Sequence, residues 1–265
     1  MIATRDRRAG TIILGTLLSA YAWGAGAVFV GSLSYFVYFY EVMLSVPADV
    51  KVRLYAWGIG GADGTVWAAL MVNTALYAAF AAHHSAMARA SAKRWLARLL
   101  PAALERATYV WVASLLFFAL CHLWWSLPGG LYRFEGLAAW PFRAVQIAGV
   151  VFALSSARTI DVFDLSGIRQ VRQPPTHDHP AAHEMGRLET GGPYRIVRHP
   201  IYLGTLALLA GSPEMNADRL LFTALSLVYL LIGIWLEERS LREEFGAAYA
   251  EYQRAVKWRI LPGVY

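Results

Sequence analysis

The segment Gly191–Gly204 (GGPYRIVRHPIYLG) contains residue types that can hold an anionic group at the start of a helix. Pro200 suits the first helical position, because its missing N–H is not needed there and its φ is already helical. The next three backbone N–H groups would then point, unpaired, at the preceding loop, where the helix dipole favours negative charge. Arg195, Arg198 and His199 add donors at this point. The pattern predicts an anion site, and the alternative is an ordinary membrane-helix start with basic residues at the water boundary.

Carboxylates occur farther along the chain, where Glu237 and Glu238 follow the last apolar run. A carboxylate there can bind an ammonium group, although an acidic pair at the end of a membrane helix is otherwise simply solvated. Donors for a carboxylate and acceptors for an ammonium group together fit an amino-acid-like ligand. Tyr194 and Tyr202 offer aromatic faces to a cation. Gly204 lacks a Cβ, so a ligand or a neighbouring helix can approach it closely.

These residues need helices to position them, and the composition indicates membrane helices. The chain has 265 residues, of which 57% are hydrophobic and 16% charged, and its mean hydropathy is +0.41. Soluble domains usually have about 25% charged residues. Several apolar runs approach the ~20 residues that cross a bilayer as a helix. We therefore expect an all-α polytopic bundle of about five or six membrane segments, with the first four spans at 10–40, 65–82, 107–127 and 142–160.

Two further apolar pieces follow, Ile201–Gly211 and Leu220–Leu236. The first is too short to span the bilayer upright, so the pair is predicted to form a helical hairpin or re-entrant unit.

Basic residues alternate along the chain in the manner of a membrane topology rather than a nucleic-acid-binding surface. Placing both termini in the cytoplasm puts most of the 24 Lys and Arg residues on that side, including those of Gly191–Gly204. No nucleic-acid partner is expected, and the basic stretch Met87–Leu100 is predicted to contact membrane lipids. The predicted outer loops hold Lys51, Arg53, Arg133 and Arg143, and Arg219 lies in the predicted hairpin.

A histidine-rich stretch within 174–190 raises the question of a metal. His177, His179 and His183 have a spacing that can ligate zinc. The surrounding Pro and Ala residues and the absence of nearby cysteine favour a flexible loop, so we predict no metal site. The lone Cys121 excludes an intrachain disulfide.

Two separated motifs, GPYRIVRHPIYLG and EERSLREEFGAAYAEY followed by V-x-W-R-x-L-P, resemble the isoprenylcysteine carboxyl methyltransferase superfamily. This group of integral-membrane methyltransferases also includes phospholipid methyltransferases, and in it this region forms the S-adenosylmethionine pocket. The resemblance implies cofactor contacts from Tyr194, Arg198, His199, Pro200, Tyr202, Gly204, Glu237 and Glu238.

Upstream segments HHSAMARASAKRW, LPAALERATYVWVASL and FDLSGIRQV look like the methanethiol S-methyltransferase branch and its nitrite-reductase-associated membrane relatives. The resemblance implies methyl transfer from S-adenosylmethionine to a small thiol, methanethiol, which gives dimethyl sulfide and S-adenosylhomocysteine. The alternatives are a lipid or isoprenylcysteine carboxyl methyltransferase and a non-catalytic membrane factor. We expect one domain over 1–265, with a four-span bundle over 1–160 and a cofactor-binding region over 161–265. The expected location is a bacterial inner membrane. The oligomeric state stays open.

Thiol methylation needs a thiolate, because a free thiol with a pKa around 8.5 is mostly protonated at neutral pH. A base, or a positive field, is therefore expected. His84, at the end of the second span, could be the base, and Arg169 and Arg198 could supply the field. The alternatives are interfacial hydrogen bonding for His84 and phosphate-headgroup contact for Arg169.

Overall fold

The computed structural model describes residues 2–46, 66–87, 96, 98, 100–157 and 188–265. Arg169 and the three histidines of the proline-rich stretch lie outside these ranges. The described part contains seven α-helices and a two-stranded antiparallel sheet. Their bounds are α1 Ile2–Glu41, α2 Val66–Met87, α3 Ala102–His122, β1 Gly130–Arg133, α4 Trp140–Ala157, α5 Pro200–Ala210, β2 Glu214–Asn216, α6 Ala217–Phe245 and α7 Ala247–Ala255.

Within the described ranges, five helical segments are long and apolar enough to cross a membrane. The prediction of an all-α polytopic bundle is therefore confirmed, and the chain is an integral membrane protein. The five segments are Gly15–Ser45, Val66–Met87, Leu104–His122, Gly136–Ala157 and Ala217–Phe245.

The C-terminal hairpin consists of a short helix and a long one. Helix α5 has 11 residues and would extend only about 16 Å, roughly half of a bilayer core. The chain then passes through β2 into α6, which has 29 residues. Helix α6 continues beyond the predicted end at Leu236 to Phe245, and Gly246 follows with φ 50°. The last apolar residue therefore does not mark the end of this helix.

Two compact units divide the described residues. The first takes those within 2–37 and 78–122, and the second takes those within 38–77, 123–157 and 188–265. The second unit therefore contains the sheet, helices α4 to α7 and both predicted halves of the ligand site. The prediction of one domain over 1–265 stays a prediction.

The second unit is held together by close contact between α4 and α5. A Cβ added to Gly149 would lie 2.6 Å from the Gly204 carbonyl oxygen. A Cβ on Gly204 would meet the Gly149 carbonyl oxygen and would lie 2.8 Å from Cβ of Ala153. Small residues at such crossings let helix backbones approach closely. Gly204 was predicted to allow the close approach of a ligand or of a neighbouring helix, and the structure shows the helix.

Polar contacts fix the start of α6. The side chain of Asn216 accepts a hydrogen bond of 2.9 Å from the Arg219 amide and so caps the helix. Asp218 accepts hydrogen bonds from the Trp124 indole and the Leu127 amide, both at 2.9 Å. These contacts set the direction in which α6 carries Glu237 and Glu238.

Candidate active site

The start of α5 is held by the chain that follows α7. The amides of Arg198 and His199 donate to the carbonyl oxygens of Trp258 and Arg259, at 2.9 and 2.8 Å. The loop before α5 and the segment after α7 therefore run side by side. This pairing fixes His199, the residue that precedes Pro200, in a defined backbone position.

The first turn of α5 leaves fewer free amides than predicted. The amides of Tyr202 and Leu203 both donate to the His199 carbonyl oxygen at 3.1 Å. The expectation of three unpaired amides is therefore wrong for these two, because the tight first turn lets one carbonyl accept both. Among the described residues only the Ile201 amide of the three is left for a ligand.

Arg198 and Glu238 form a buried ion pair. The Arg198 Nε and Nη2 atoms lie 2.8 and 2.7 Å from Glu238 Oε1, and the side chains are 7% and 1% exposed. Arg198 Nη1 also donates to the carbonyl oxygens of Val256 and Lys257, both at 2.8 Å. The second carboxylate oxygen of Glu238 lies 3.2 Å from Arg259 Nε. The charge of Glu238 is therefore used inside the protein, between two arginines.

Glu237 is the accessible carboxylate of the pair, with its side chain 46% exposed. It accepts a hydrogen bond of 2.9 Å from the Tyr202 hydroxyl and lies 3.3 Å from His199 Nδ1. The rings of His199 and Tyr202 stack at 5.3 Å between centroids. Glu237 is therefore placed to accept hydrogen bonds from a ligand as well as from these two side chains.

His199 is buried but surrounded by negative charge. Burial lowers the pKa of His199, but the nearby carboxylates of Glu237 and Glu238 outweigh this effect, so that the pKa is raised above 6.5. Its Nε2 atom is 3.5 Å from Glu238 Oε1 and has no hydrogen bond of regular geometry within the described chain. A buried polar atom of this kind calls for a partner, and a ligand acceptor would provide one.

Helix α7 covers the same region with tyrosines. The Tyr252 hydroxyl donates to the Tyr194 carbonyl oxygen at 2.7 Å, and the Tyr194 side chain packs against Tyr249 and Tyr252. Burial raises the pKa of Tyr194 to about 12, with added effects from Glu237 and Glu189, so the phenol stays protonated at neutral pH.

The structure brings most of the predicted cofactor residues together in the second unit, with Arg198, His199 and Tyr202 against the glutamate pair. Sequence reasoning missed Arg259 as a member, although it lies in the quoted V-x-W-R-x-L-P motif. His84 belongs to the first unit, where its Nδ1 atom is 2.9 Å from the Tyr109 hydroxyl. Arg169 lies outside the described residues, so the catalytic assignments stay predictions.

Known proteins resemble this chain over most of its length. The family model of phospholipid methyltransferases matches residues 145–248, which include all of α5 and α6. The chain is 38% identical over 196 residues to methanethiol S-methyltransferase 2 of Bradyrhizobium diazoefficiens, covering 74% of each chain. The chain belongs to the methanethiol S-methyltransferase family. Methanethiol S-methyltransferase 1 of that organism is 34% identical over 87% of this chain and 80% of its own length. The enzyme of Pseudomonas deceptionensis is 36% identical over 75% of each.

Family membership makes this chain a membrane methyltransferase, which uses a methyl donor. The relatives also account for the upstream resemblance, because the matches extend well beyond residues 145–248.

Proposed function

We propose that this methyltransferase transfers a methyl group from S-adenosylmethionine to methanethiol and releases dimethyl sulfide and S-adenosylhomocysteine. The relatives are methanethiol S-methyltransferases, which supports methanethiol as the methyl acceptor. The cofactor assignment is supported by the placement of an accessible carboxylate, Glu237, beside His199, whose pKa is raised, at the start of α5. An amino-acid moiety has an ammonium and a carboxylate group, and these side chains can pair with both.

The cofactor would supply a methyl group bound to a sulfonium sulfur, and the carbon of this methyl group is open to in-line displacement. Glu237 would accept hydrogen bonds from the ammonium group, and His199 Nε2 with the Ile201 amide would donate to the carboxylate. The Tyr202 hydroxyl holds Glu237 in place, at 2.9 Å. Arg198 and Glu238 act by positioning, because their buried pair ties the start of α5 to α6 and to the segment after α7. Accurate positioning is the main contribution a protein can make to such a displacement.

The acceptor thiol must lose its proton before its sulfur forms the new bond to the methyl carbon, as the old carbon–sulfur bond breaks toward the cofactor sulfur. We propose His84 as the base, with the charge of Arg169 favouring the thiolate. Arg198 would contribute less to this positive field, since its charge is balanced by Glu238. Replacing His84 by Gln, with His83→Gln as the matched control, should slow turnover while S-adenosylhomocysteine affinity is kept.

We also propose that the protein lies in a bacterial inner membrane with both termini in the cytoplasm, which the distribution of Lys and Arg supports. Reporter fusions at the two termini test this topology. An external signal from either fusion would reject it.

The decisive experiment supplies purified protein with S-adenosylmethionine that is deuterated at the methyl group. Methanethiol is offered as acceptor, and headspace gas chromatography with mass detection follows labelled dimethyl sulfide. Phosphatidylethanolamine and an isoprenylcysteine are offered in parallel, because the phospholipid methyltransferase model over residues 145–248 favours a lipid acceptor as the second candidate. Labelled lipid without labelled dimethyl sulfide would reject the thiol. Calorimetry that detects no binding of S-adenosylhomocysteine would favour a non-catalytic membrane factor.

A further inference from the structure

A second polar site lies in the same unit, at the other end of α6. Arg219 and Glu238 are on this one helix, and the 1.5 Å rise per residue separates them by about 28 Å along its axis. That distance is close to the thickness of a bilayer core, about 30 Å. Around Arg219 is a cavity of about 160 Å³, lined by three arginines, two glutamates and two serines, which we call the arginine cavity.

Arg219 and its hydrogen-bond partners form the floor of the arginine cavity. The guanidinium of Arg219, 2% exposed, donates to the Tyr40 carbonyl oxygen, to Ser45 Oγ and to the Glu214 carboxylate, at 2.8, 2.8 and 2.7 Å. Ser45 in turn donates to Glu214 at 2.7 Å. The charge of Arg219 is thus balanced within the protein, and this residue holds the floor rather than a ligand.

The charged side chains at the rim of the cavity are partly exposed and have hydrogen-bonding capacity left for a ligand. Arg143, 41% exposed, uses Nη1 for both Glu41 and Gln146, and within the described ranges Nε and Nη2 have no partner. Arg133 and Glu135 are 60% and 76% exposed and pair through a contact of 2.9 Å, and Arg133 Nη1 also lies 3.8 Å from Glu214 Oε1. Cationic donors and a carboxylate acceptor therefore remain available side by side.

The cavity lies where membrane segments begin and end. The segments Gly15–Ser45, Gly136–Ala157 and Ala217–Phe245 each have one end beside it. Leu137, shortly before α4, and Trp140, the first residue of α4, are 88% and 63% exposed. Tryptophan is typical of the boundary between lipid and water, so the charged rim adjoins an apolar surface at headgroup level.

We propose that the arginine cavity binds the zwitterionic headgroup of a membrane phospholipid, with the phosphate on Arg133 and Arg143, the ammonium group on Glu135, and the acyl chains along Leu137 and Trp140. A simple anion would meet the repulsion of Glu135 and Glu214, and a simple cation that of the arginines. A headgroup with both charges matches both sets of side chains. The lipid is not a methyl acceptor, because the site lies about 28 Å along α6 from Glu238. The proposal is therefore independent of the proposed reaction.

The test uses the full chain, purified in detergent and stripped of lipid. Thermal unfolding is followed as phosphatidylethanolamine or phosphatidylglycerol is added, and native mass spectrometry counts the bound lipid. Phosphatidylethanolamine should raise the unfolding midpoint and remain bound, and phosphatidylglycerol should bind at least tenfold more weakly. The double variant Arg133→Gln/Glu135→Gln should lose at least tenfold in affinity for phosphatidylethanolamine.

The matched control is Arg239→Gln/Glu243→Gln, which removes an exposed pair with a 3.0 Å contact on α6 and should bind lipid like the wild type. Without lipid, both double variants should unfold close to the wild-type midpoint, since each loses an exposed pair and the additional Arg133–Glu214 contact is long, at 3.8 Å. Equal lipid affinity in the two double variants would overturn the proposal, as would equal binding of the two lipids. Soluble O-phosphoethanolamine or inorganic phosphate that binds as tightly as phosphatidylethanolamine would assign the cavity to a soluble ligand and overturn the lipid assignment.

Discussion

Replacing Glu238 by Gln should destabilise the protein far more than replacing Glu237 by Gln, although the two residues are neighbours on α6. Glu238 is 1% exposed and balances Arg198, whose side chain is 7% exposed. A neutral amide would leave the Arg198 charge buried with two carbonyl partners and no counter-ion. Removing one partner of a buried ion pair costs about 3–5 kcal/mol. A second arginine, Arg259, would lose its carboxylate contact as well.

The same change at Glu237 removes much less from the folded protein. Its side chain is 46% exposed, and it has one hydrogen bond from Tyr202 and a 3.3 Å contact with His199. A partly exposed contact of this type contributes about 1 kcal/mol or less. The expected loss is instead in ligand binding. A charged hydrogen bond to an ammonium group contributes about 1.5–3 kcal/mol, and at this exposure the lower figure applies. That corresponds to roughly a tenfold rise in Kd.

The assay measures both quantities on the same three variants. Chemical unfolding in detergent gives the free energy of unfolding, and calorimetry with S-adenosylhomocysteine gives Kd. Glu243→Gln, on the same helix and 67% exposed, is the control that should change neither. Equal destabilisation by the Glu237 and Glu238 replacements would refute the division of roles. So would a Glu237→Gln protein that binds S-adenosylhomocysteine with wild-type affinity.

Three further predictions concern His199, the α4–α5 crossing and the α7 tyrosines. Because the pKa of His199 is raised above 6.5, its charge stabilises the fold fully below pH 6.5, and this stabilisation is lost as the pH rises through the raised pKa. The unfolding midpoints of wild type and His199→Gln should therefore converge with rising pH. A gap between the midpoints that stays constant with pH would contradict this prediction. Gly204→Ala should cost about 1–3 kcal/mol in unfolding free energy, because the added Cβ crowds α4. The control Gly31→Ala should cost little, because nothing lies within 4 Å of its added Cβ. Equal losses in the two variants would argue against the close α4–α5 crossing. Tyr252→Phe should lose about 1 kcal/mol, because it removes the 2.7 Å hydrogen bond to the Tyr194 carbonyl oxygen. Tyr249→Phe should lose less, because its buried hydroxyl has no hydrogen bond of regular geometry among the described residues. The reverse order in unfolding experiments would contradict this prediction.

The membrane class and the approximate spans could be predicted because hydropathy and length are local properties of the chain. The predicted ends of helices were less accurate where polar residues continue a helix beyond the apolar run. The prediction ended the last apolar run at Leu236, but Glu237 and the residues after it are good helix formers that continue α6 into water. Gly246, at φ 50°, follows the last residue of the helix. Hydropathy locates the membrane boundary there, and backbone conformation locates the helix end.

The partner of Gly204 could not be read from its own motif, because a missing Cβ serves a ligand and a helix equally well. The contact with Gly149 depends on how α4 packs, which lies outside the local pattern. The same limit applied to Glu237 and Glu238. Adjacent residues on a helix point about 100° apart, so only one of them can face the interior, but the sequence does not say which.

What selects Glu238 as the buried residue is the position of two arginines from separate stretches of the chain. Arg198 comes from the loop before α5, and Arg259 from the segment after α7; both lie against the Glu238 carboxylate. The backbone pairing of these two stretches holds the two arginine residues near each other. With Glu238 held between them, the helix leaves Glu237 partly exposed beside His199 and Tyr202. The motifs that stand apart in the sequence thus form one structural unit, in which the buried charge orients the accessible one.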